Sequence, residues 1–268
     1  MTTIDTEFRG SIPDIYDSHL VPILFEGYGA DLARRVARDS PGAVLEIAAG
    51  TGAVTRAMAP LLDEGARYVV TDLNEAMLAR AQAHHWDDRI EWRQADALAL
   101  PFGDDSFDVA FCQFGVMFFP DRVAGFSEIR RVLRPGGRFV FNSWGPIERN
   151  DFSNIATETL IRIWPEDPPL FLARTPFGYA DSGLVEADLR AAGFEEATIE
   201  EVERDSLALA DDFAFGQTHG SPLRLEIEAR GTPKLAEVRQ AITDAIEQRL
   251  GASPVRGRML ALVAEAVA

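Results

Sequence analysis

The sequence predicts an α/β fold, in which a mostly parallel sheet is covered by helices on both faces and carries a helical cap. Short apolar segments alternate with segments of helical periodicity between residues 43 and 142. Strands that alternate with helices form βαβ units, whose parallel strands are buried on both faces. The chain has 268 residues, of which 47% are hydrophobic, and is long enough for one such domain with additional elements.

Six strands and five helices are predicted up to residue 207. The strands cover 44–48, 68–72, 90–94, 108–112, 138–142 and 197–207. The helices cover 51–62, 75–84, 122–133, 151–164 and 186–192. The Pro-Gly-Gly sequence at 135–137 is expected to end the third helix and to start the fifth strand, because proline and glycine interrupt regular structure.

Helical segments flank the predicted sheet on both sides in the sequence. Residues 1–40 are predicted to form an N-terminal helical lid, 41–207 the α/β core with an insertion at 146–180, and 208–268 a C-terminal helical region. One apolar helix face is predicted from the spacing of Leu235, Val238, Ile242, Ile246 and Leu250. Residues 262–268 are also predicted to be helical, so no convincing seventh strand is found after residue 207; either that strand is absent or cut off, or the prediction for residues 197–230 is wrong.

Charge and composition narrow the possible partners. The net charge is −17, from 26 basic and 43 acidic residues, which disfavours nucleic acid and anionic membrane surfaces. The single cysteine, Cys112, excludes an internal disulfide and is typical of a reducing compartment. Residues 1–7 do not resemble a secretory signal, and no apolar run approaches the roughly 18 residues of a membrane span. We therefore expect a cytoplasmic protein that is a monomer or a homodimer and needs no metal.

A glycine-containing loop follows the first predicted strand, in the sequence Glu46-Ile47-Ala48-Ala49-Gly50-Thr51-Gly52. Gly50 and Gly52 allow a tight turn and a close approach of the backbone to a ligand. The helix that follows offers free N–H groups to an anionic ligand group. An ordinary strand-to-helix turn is the alternative interpretation of this segment.

Asp72 ends the second predicted strand, where an acidic residue can accept hydrogen bonds from ribose hydroxyls. An N-cap for the next helix is the alternative role for Asp72. The glycine pattern lacks the third position of a dinucleotide-binding fingerprint, and no lysine follows it as in a phosphate-binding loop.

Three further segments follow in a fixed order. Asp96 and Ala97 lie just after the third predicted strand, where a carboxylate and a backbone N–H could bind adenine; a surface turn is the alternative. Residues 104–115 contain the fourth predicted strand and end in Cys112-Gln113-Phe114-Gly115. Residues 128–140 contain the Pro-Gly-Gly turn and the fifth strand.

Together, these five segments resemble the class I S-adenosylmethionine (SAM)-dependent methyltransferases, and most closely the group that includes the ubiquinone and menaquinone biosynthesis methyltransferases. The resemblance covers residues 40–145. It implies a Rossmann-like, seven-stranded sheet in the order 3-2-1-4-5-7-6 with strand 7 antiparallel. Because residues 262–268 are predicted to be helical, the sequence leaves the existence of strand 7 open. It also implies that SAM is the cofactor and S-adenosylhomocysteine (SAH) the product.

The resemblance implies a role for each matching residue. Glu46, Ala48 and Gly50 would line the methionine part of SAM, and Asp72 would bind the ribose hydroxyls. Leu73 and Met77 would lie beside the adenosine, and Asp96 and Ala97 would hold the adenine. Gln113 would face the sulfonium and the acceptor. Ala48 departs from the pattern, since many members have glycine there, and we expect only a slight adjustment of the loop.

Gln113 is a catalytic candidate within the resembling segments, and the other catalytic candidates lie outside them. A base is needed only if the acceptor must lose a proton when it attacks. His19 and His219 are candidate bases, with surface or capping roles as the alternative, whereas His84 and His85 are expected to face solvent. Tyr16 is a candidate lid residue over the cofactor. Aromatic residues after the fourth strand and in the insertion suit an apolar acceptor pocket or, alternatively, core packing.

The sequence therefore favours a methyltransferase that acts on a small, apolar or aromatic molecule at carbon, oxygen or nitrogen. Three alternatives remain open at this point. They are a methyltransferase of nucleic acid or protein, a SAM-binding protein without methyltransferase activity in a regulatory or assembly role, and a nicotinamide-dependent oxidoreductase.

Overall fold

The computed structural model describes residues 10–84 and 87–268. The residues of the expected non-secretory N-terminus, 1–7, and His85 lie outside the described residues. The described chain divides into two compact units. One comprises Glu26–Ser143, Asp181–Glu201 and Leu262–Ala268, and is called the sheet unit below. The other comprises, of the described residues, 10–25, Trp144–Ala180 and Val202–Ala261, and is called the helical unit. This division does not follow the predicted boundaries after residues 40 and 207.

Seven strands form one sheet in the order β3-β2-β1-β4-β5-β7-β6. Their bounds are β1 Ala43–Ile47, β2 Arg67–Asp72, β3 Ile90–Gln94, β4 Phe107–Gln113, β5 Leu133–Trp144, β6 Glu196–Ala208 and β7 Val255–Val267. The pairs β1–β2, β1–β4, β2–β3 and β4–β5 are parallel. The predicted α/β class with a mostly parallel, seven-stranded sheet is confirmed.

The strand β7 is antiparallel to β5 and contradicts the helix predicted at the C-terminal end. The N–H of Gly145 donates to the carbonyl of Leu260, and the N–H of Ala268 donates to the carbonyl of Gly137. The end of β5 therefore pairs with the middle of β7 and its start with the end of β7, so the two strands run in opposite directions. The prediction of helix failed because this segment is rich in alanine, a strong helix former. Its residues from Met259 to Ala264 are buried without a break, and such a run has no period that separates strand from helix.

The strand β5 also begins earlier than predicted. Leu133 pairs with Phe107, whereas Arg138 pairs with Val109, so the residues between them form a bulge in the sheet. Gly136 has a φ of 78°, which a residue without a Cβ adopts readily. The Pro-Gly-Gly sequence is therefore a bulge within β5, and the preceding helix ends at Val132.

The helices lie between and after the strands. Their bounds are α1 Ile12–Ile15, α2 Glu26–Val36, α3 Ala53–Met58, α4 Glu75–Ala83, α5 Arg122–Val132, α6 Asp151–Ile163, α7 Phe171–Arg174, α8 Ser182–Ala191, α9 Ala210–His219, α10 Leu223–Arg230 and α11 Leu235–Leu250. A π-helix, Tyr16–Phe25, joins α1 to α2 and contains Pro22. Helix α3 is shorter than predicted and continues as a single 3₁₀ turn, Ala59–Leu61. No helix among the described residues is both long and apolar enough to span a bilayer.

The core of the sheet unit lies where α2 and α3 pack on β1, β2 and β4. Its largest buried members are Tyr68 and Phe111, and Leu32 and Val36 contribute the inner face of α2. Arg138 on β5 donates to the carbonyls of Arg35, Val36 and Arg38. These bonds satisfy carbonyl groups that the end of α2 leaves without a helical partner.

The helical unit has a separate core, in which Phe152 of α6 stacks on Phe213 of α9 at 5.2 Å between ring centroids. The predicted apolar face of α11 is present, because Val238, Ile242 and Ile246 are fully buried. Gly257 in β7 belongs to this core, since a Cβ added there would lie 2.7 Å from Cδ2 of Phe152. An added methyl group at Gly257 therefore has no room.

The substitution Gly257→Ala distinguishes a packed strand from a surface helix. We expect it to lower the free energy of unfolding by about 1–3 kcal/mol, the usual cost of overpacking a core. A helical segment would instead gain about 1 kcal/mol from the better helix former. Thermal and chemical unfolding measure the difference. Gly65→Ala is the matched control, because nothing lies within 4 Å of a Cβ at Gly65, and its stability should change little.

Candidate active site

The loop between β1 and α3 turns sharply through three residues with positive φ. Ala48, Gly50 and Gly52 have φ values of 53°, 59° and 79°. Glycine adopts this conformation freely, but for alanine it costs about 1–2 kcal/mol. The departure at Ala48 is therefore a strained residue, which is more than the slight adjustment that was expected.

Gly115 makes room for the methyl group of Ala48. A Cβ added at Gly115 would lie 2.6 Å from Cβ of Ala48 and 2.6 Å from Sγ of Cys112. The absence of a side chain after β4 thus allows the methyl group at the end of β1. The loop presents one further feature, because Oγ1 of Thr51 is buried and has no hydrogen-bond partner among the described residues.

Asp72 links this loop to the end of β2. Its Oδ2 accepts from the N–H of Gly50 at 2.7 Å, and its Oδ1 accepts from the N–H of Asn74 at 2.7 Å. Burial raises the pKa of Asp72 to about 6, although these two backbone N–H groups oppose the shift. The alternative role as an N-cap is wrong for Asp72, because the side chain of Asn74 caps α4 through the N–H groups of Ala76 and Met77.

Glu46 is buried below the same loop. Its Oε2 accepts from the hydroxyl of Thr55 at 2.8 Å and from the hydroxyl of Tyr68. Burial raises the pKa of Glu46 to about 7; the two hydroxyls oppose this shift, and the nearby charge of Asp72 adds to it. The carboxyl group is therefore partly protonated at neutral pH.

The residues predicted beside the adenosine, Leu73 and Met77, follow Asp72 in the sequence. Leu73 is 57% exposed, which is unusual for a leucine, and Met77 is buried with its Cε 3.7 Å from a Cβ added at Gly50. The N–H of Ala95 donates to the carbonyl of Asp72, which brings the start of the next loop to the end of β2.

Asp96 and Ala97 lie in that next loop. Asp96 is exposed, and its Oδ1 accepts a hydrogen bond from the N–H of Leu98 at 2.9 Å. This bond closes a turn at the surface, which agrees with the alternative interpretation of Asp96 as a surface-turn residue. Ala97 is buried. A role of this turn at the adenine stays a prediction.

Gln113 ends β4 and packs beside α2, with its Oε1 3.2 Å from a Cβ added at Gly29. Phe114 has a φ of 49°, and its N–H donates to Oδ1 of Asn142 at 2.9 Å. This turn directs the chain away from the sheet directly after Gln113. The predicted cofactor residues from Glu46 to Gln113 thus all belong to the sheet unit, at the carboxyl ends of β1 to β4.

The other three candidates, Tyr16, His19 and His219, belong to the helical unit. The rings of His19 and His219 both contact Phe215, at centroid distances of 4.9 and 4.5 Å. Burial lowers the pKa of His219. His84, in contrast, is exposed as predicted.

Two residues of the site were not singled out in the sequence, Tyr68 and Thr55. Tyr68 lies in an otherwise apolar predicted strand, and a buried tyrosine hydroxyl usually has a partner. That rule would have directed attention to the nearest buried carboxylate, Glu46. Thr55 gives no comparable signal, because threonine on a helix commonly bonds to the helix itself.

The arrangement fits the cofactor that the sequence suggested. Two buried carboxylates lie near the ends of adjacent strands, a loop with positive φ values has only Cε of Met77 within 4 Å of a Cβ added at Gly50, and Thr51 has an orphaned hydroxyl. Acidic groups at such a loop can hold the cationic methionine part and the ribose hydroxyls of SAM. In doubly wound sheets, ligands bind at the carboxyl ends of the strands.

Comparisons with known proteins agree with this geometry. A family model described as a methyltransferase domain matches residues 45–141. The demethylmenaquinone methyltransferase of Clavibacter sepedonicus is 30% identical over 199 residues, which are 70% of this chain and 80% of that protein. The ubiquinone/menaquinone biosynthesis C-methyltransferase UbiE of Hahella chejuensis is 43% identical over 101 residues, 36% of this chain and 41% of that protein.

Solved structures share the fold. The phosphoethanolamine N-methyltransferase 2 of Haemonchus contortus, in complex with phosphomonomethylethanolamine and SAH, has a TM-score of 0.62 at 18% identity and covers all of this chain with 61% of its own. The YcgJ protein of Bacillus subtilis has a TM-score of 0.58 at 16% identity, covering 90% of this chain and 98% of its own.

The fold and the site define a class I methyltransferase. The chain belongs to the SAM-dependent methyltransferases and resembles the ubiquinone and menaquinone biosynthesis group. Its cofactor is SAM. The relatives decide against a nicotinamide-dependent oxidoreductase and against a SAM-binding protein without methyltransferase activity.

The substitution Asp72→Asn tests the two hydrogen bonds by which the Asp72 carboxylate links the loops after β1 and β2. We expect it to weaken SAH binding at least about tenfold at pH 8, because hydrogen bonds to an ionised carboxylate are worth about 1.5–3 kcal/mol each. An asparagine oxygen can keep only one of the two backbone bonds. Calorimetric titration measures the affinity, with the exposed Asp63→Asn as control. Unchanged affinity in a folded Asp72→Asn variant would exclude a role for this carboxylate.

Proposed function

We propose that this methyltransferase acts on a small, apolar or aromatic molecule, and specifically on a hydroxylated ring of the quinol type. The names of two relatives, demethylmenaquinone methyltransferase and ubiquinone/menaquinone biosynthesis C-methyltransferase, support a ring of this kind. The net charge of −17 supports an acceptor without phosphate groups and argues against nucleic acid.

A continuous row of aromatic rings in the helical unit carries the proposal. Tyr16 stacks on Phe25 at 5.3 Å between centroids, Phe25 lies 6.0 Å from Trp144, and Trp144 stacks on Phe177 at 5.7 Å. We call these four residues the aromatic row. Stacked and tilted rings at such distances are the arrangement in which aromatic groups attract one another, so a planar acceptor can extend the row.

Two orphaned polar atoms lie in the same unit. Oγ1 of Thr175 and Oε1 of Gln217 are buried, and neither has a hydrogen-bond partner among the described residues. Leaving a buried polar group unsatisfied costs about 1–3 kcal/mol, so such groups call for an explanation. Hydroxyl groups of an acceptor would supply the missing partners.

The helical unit also holds a group that can accept a proton. Helix α9 packs on the π-helix, because a Cβ added at Gly220 would lie 3.0 Å from the backbone N of Tyr16. His219 ends α9 directly before this contact. Since burial lowers the pKa of His219, its ring is neutral at pH 7 and can serve as a base.

These features suggest a role for each group of residues in the transfer of the methyl group. SAM supplies a methyl group that is already activated by a positively charged sulfur. The chain therefore needs to orient the acceptor, to exclude water and, for a phenolic acceptor, to take up a proton. We assign orientation to the aromatic row, with Tyr16 as lid, and the proton to His219 or His19, while Gln113 faces the reacting groups.

Three further parts of the proposal concern the setting of the enzyme. We propose a cytoplasmic location, a monomeric or homodimeric state and the absence of a metal requirement. A buried free thiol at Cys112 is typical of a reducing compartment. The helices of residues 10–36, the insertion 146–180 and the helices after residue 208 are proposed as the cap over the acceptor.

The acceptor class is tested by supplying SAM with reduced naphthoquinones, with simple catechols and with primary amines of similar size. We expect SAH to form with the hydroxylated rings, and mass spectrometry to find one added methyl group on the product. Nuclear magnetic resonance then distinguishes carbon from oxygen methylation. Transfer to the amines alone, or to none of the three classes, would overturn the proposed acceptor.

The substitution Phe177→Leu tests the aromatic row. We expect the KM for a ring acceptor to rise about 3- to 10-fold, since an aromatic pair contributes about 0.5–1.5 kcal/mol beyond its buried area. The affinity for SAH should stay the same. Phe152→Leu is the matched control, because Phe152 is a buried, stacked phenylalanine of the same unit outside the row. An equal rise of KM in both variants would mean that the row has no specific role.

A further inference from the structure

We propose that Tyr68 is a positioning residue, whose hydroxyl holds the carboxylate of Glu46 ready for a cationic group of the cofactor and thereby links cofactor binding to the release of a proton. This inference rests on the proposed placement of Glu46 at the methionine part of SAM. It concerns the residues behind Glu46, which the five sequence segments did not include.

Three elements meet at the Glu46 carboxylate. Glu46 lies on β1 and Tyr68 on the parallel neighbour β2, where Tyr68 pairs with Val44, two residues before Glu46. Residues two apart on a strand point to the same face, so the tyrosine side chain can reach forward to the carboxylate. Thr55 reaches the carboxylate from α3.

Both hydroxyls donate to the same oxygen of Glu46. Oε2 accepts from Tyr68 and from Thr55, so both of these hydroxyls hold the carboxylate through one of its two oxygens. The side chain is 1% exposed, so water has little access to it. A carboxylate that is held through one oxygen keeps the other oxygen for a further partner, and a cationic N–H group is the partner that favours its ionised form.

The charge of Glu46 is finely balanced in the protein without ligand. Burial favours the neutral acid and the charge of Asp72 adds to this effect, while the hydroxyls of Tyr68 and Thr55 and the charge of Arg56 favour the carboxylate. The pKa of about 7 that results is well above the ordinary value of 4.5. The neighbouring thiol of Cys112 does not compete, because burial raises its pKa and keeps it protonated.

The direction of the linkage follows from this balance. A ligand cation near Oε1 lowers the pKa of Glu46, so the complex binds fewer protons than the free protein. Affinity then falls as pH drops below about 7, by about tenfold per pH unit for a single proton, and levels off above pH 7. Loss of the Tyr68 hydroxyl removes one group that favours the carboxylate and moves this midpoint to higher pH.

Calorimetric titration with SAH between pH 5.5 and 9 tests the inference on wild type, Tyr68→Phe and Glu46→Gln. SAH is suitable because it keeps the cationic amino group without the reactive methyl. For Tyr68→Phe we expect the midpoint to rise by about one pH unit, since the loss of a hydrogen bond worth about 1.4 kcal/mol shifts a pKa by one unit. Binding at pH 7 should weaken up to about tenfold relative to wild type, and the ratio of the two affinities should return to about one at pH 9, because the ligand's own amino group loses its proton equally for both proteins.

Recovery at high pH is the result that a merely structural role would not give. Glu46→Gln should lose the pH-dependent step near 7 and keep only the step that belongs to Asp72, whose pKa is about 6. Tyr179→Phe is the matched control, because it removes the hydroxyl of an equally buried tyrosine of the helical unit and should leave the midpoint in place.

The failures of the two proposals are distinguishable. If wild type binds SAH but Tyr68→Phe keeps the wild-type midpoint, or is weakened equally at every pH, the role of Tyr68 is overturned while the cofactor site stands. If well-folded wild type binds no SAH at any pH, the cofactor site and the inference built on it are both overturned. Infrared difference spectra of the ligand-free proteins give an independent readout, because the band of the protonated Glu46 acid should persist to higher pH in Tyr68→Phe.

Discussion

The hydrogen bonds of the Asp72 carboxylate are the interaction on which the site depends. One carboxylate oxygen fixes the N–H of Gly50 and the other fixes the N–H of Asn74, so the loops after β1 and β2 are held in one geometry. Asn74 in turn starts α4, which places Met77 under the glycine loop. A charged group that is nearly buried costs free energy, and here that cost is offset by bonds to backbone groups that would otherwise be unsatisfied.

Much of the sheet unit could be predicted because the strands β1 to β4 each have a local signal in the sequence. The apolar runs at β1, β2 and β4 are short, and a parallel sheet buried on both faces requires such runs. The residues predicted at the cofactor could be singled out because glycine permits a tight turn close to a ligand and aspartate at a strand end can accept hydrogen bonds from ribose.

The elements that were mispredicted depend on long-range contacts. β7 takes its conformation from β5, more than a hundred residues earlier in the chain, and its alanines favour a helix when judged alone. The bulge at Gly136 is likewise a property of the pairing with β4. Tyr68 was overlooked because a tyrosine in an apolar strand suits the core equally well, and only the fold shows that its hydroxyl meets Glu46.

The contact between Ala48 and Gly115 ties together two positions that are 67 residues apart in the sequence. Position 115 cannot vary alone, because a side chain there would collide with the methyl group at 48 and with Sγ of Cys112. Glycine at position 48 would remove one of these two collisions and leave the one with Cys112. A side chain at 115 therefore requires changes at both 48 and 112, so these three positions form one packed unit at the ends of two neighbouring strands.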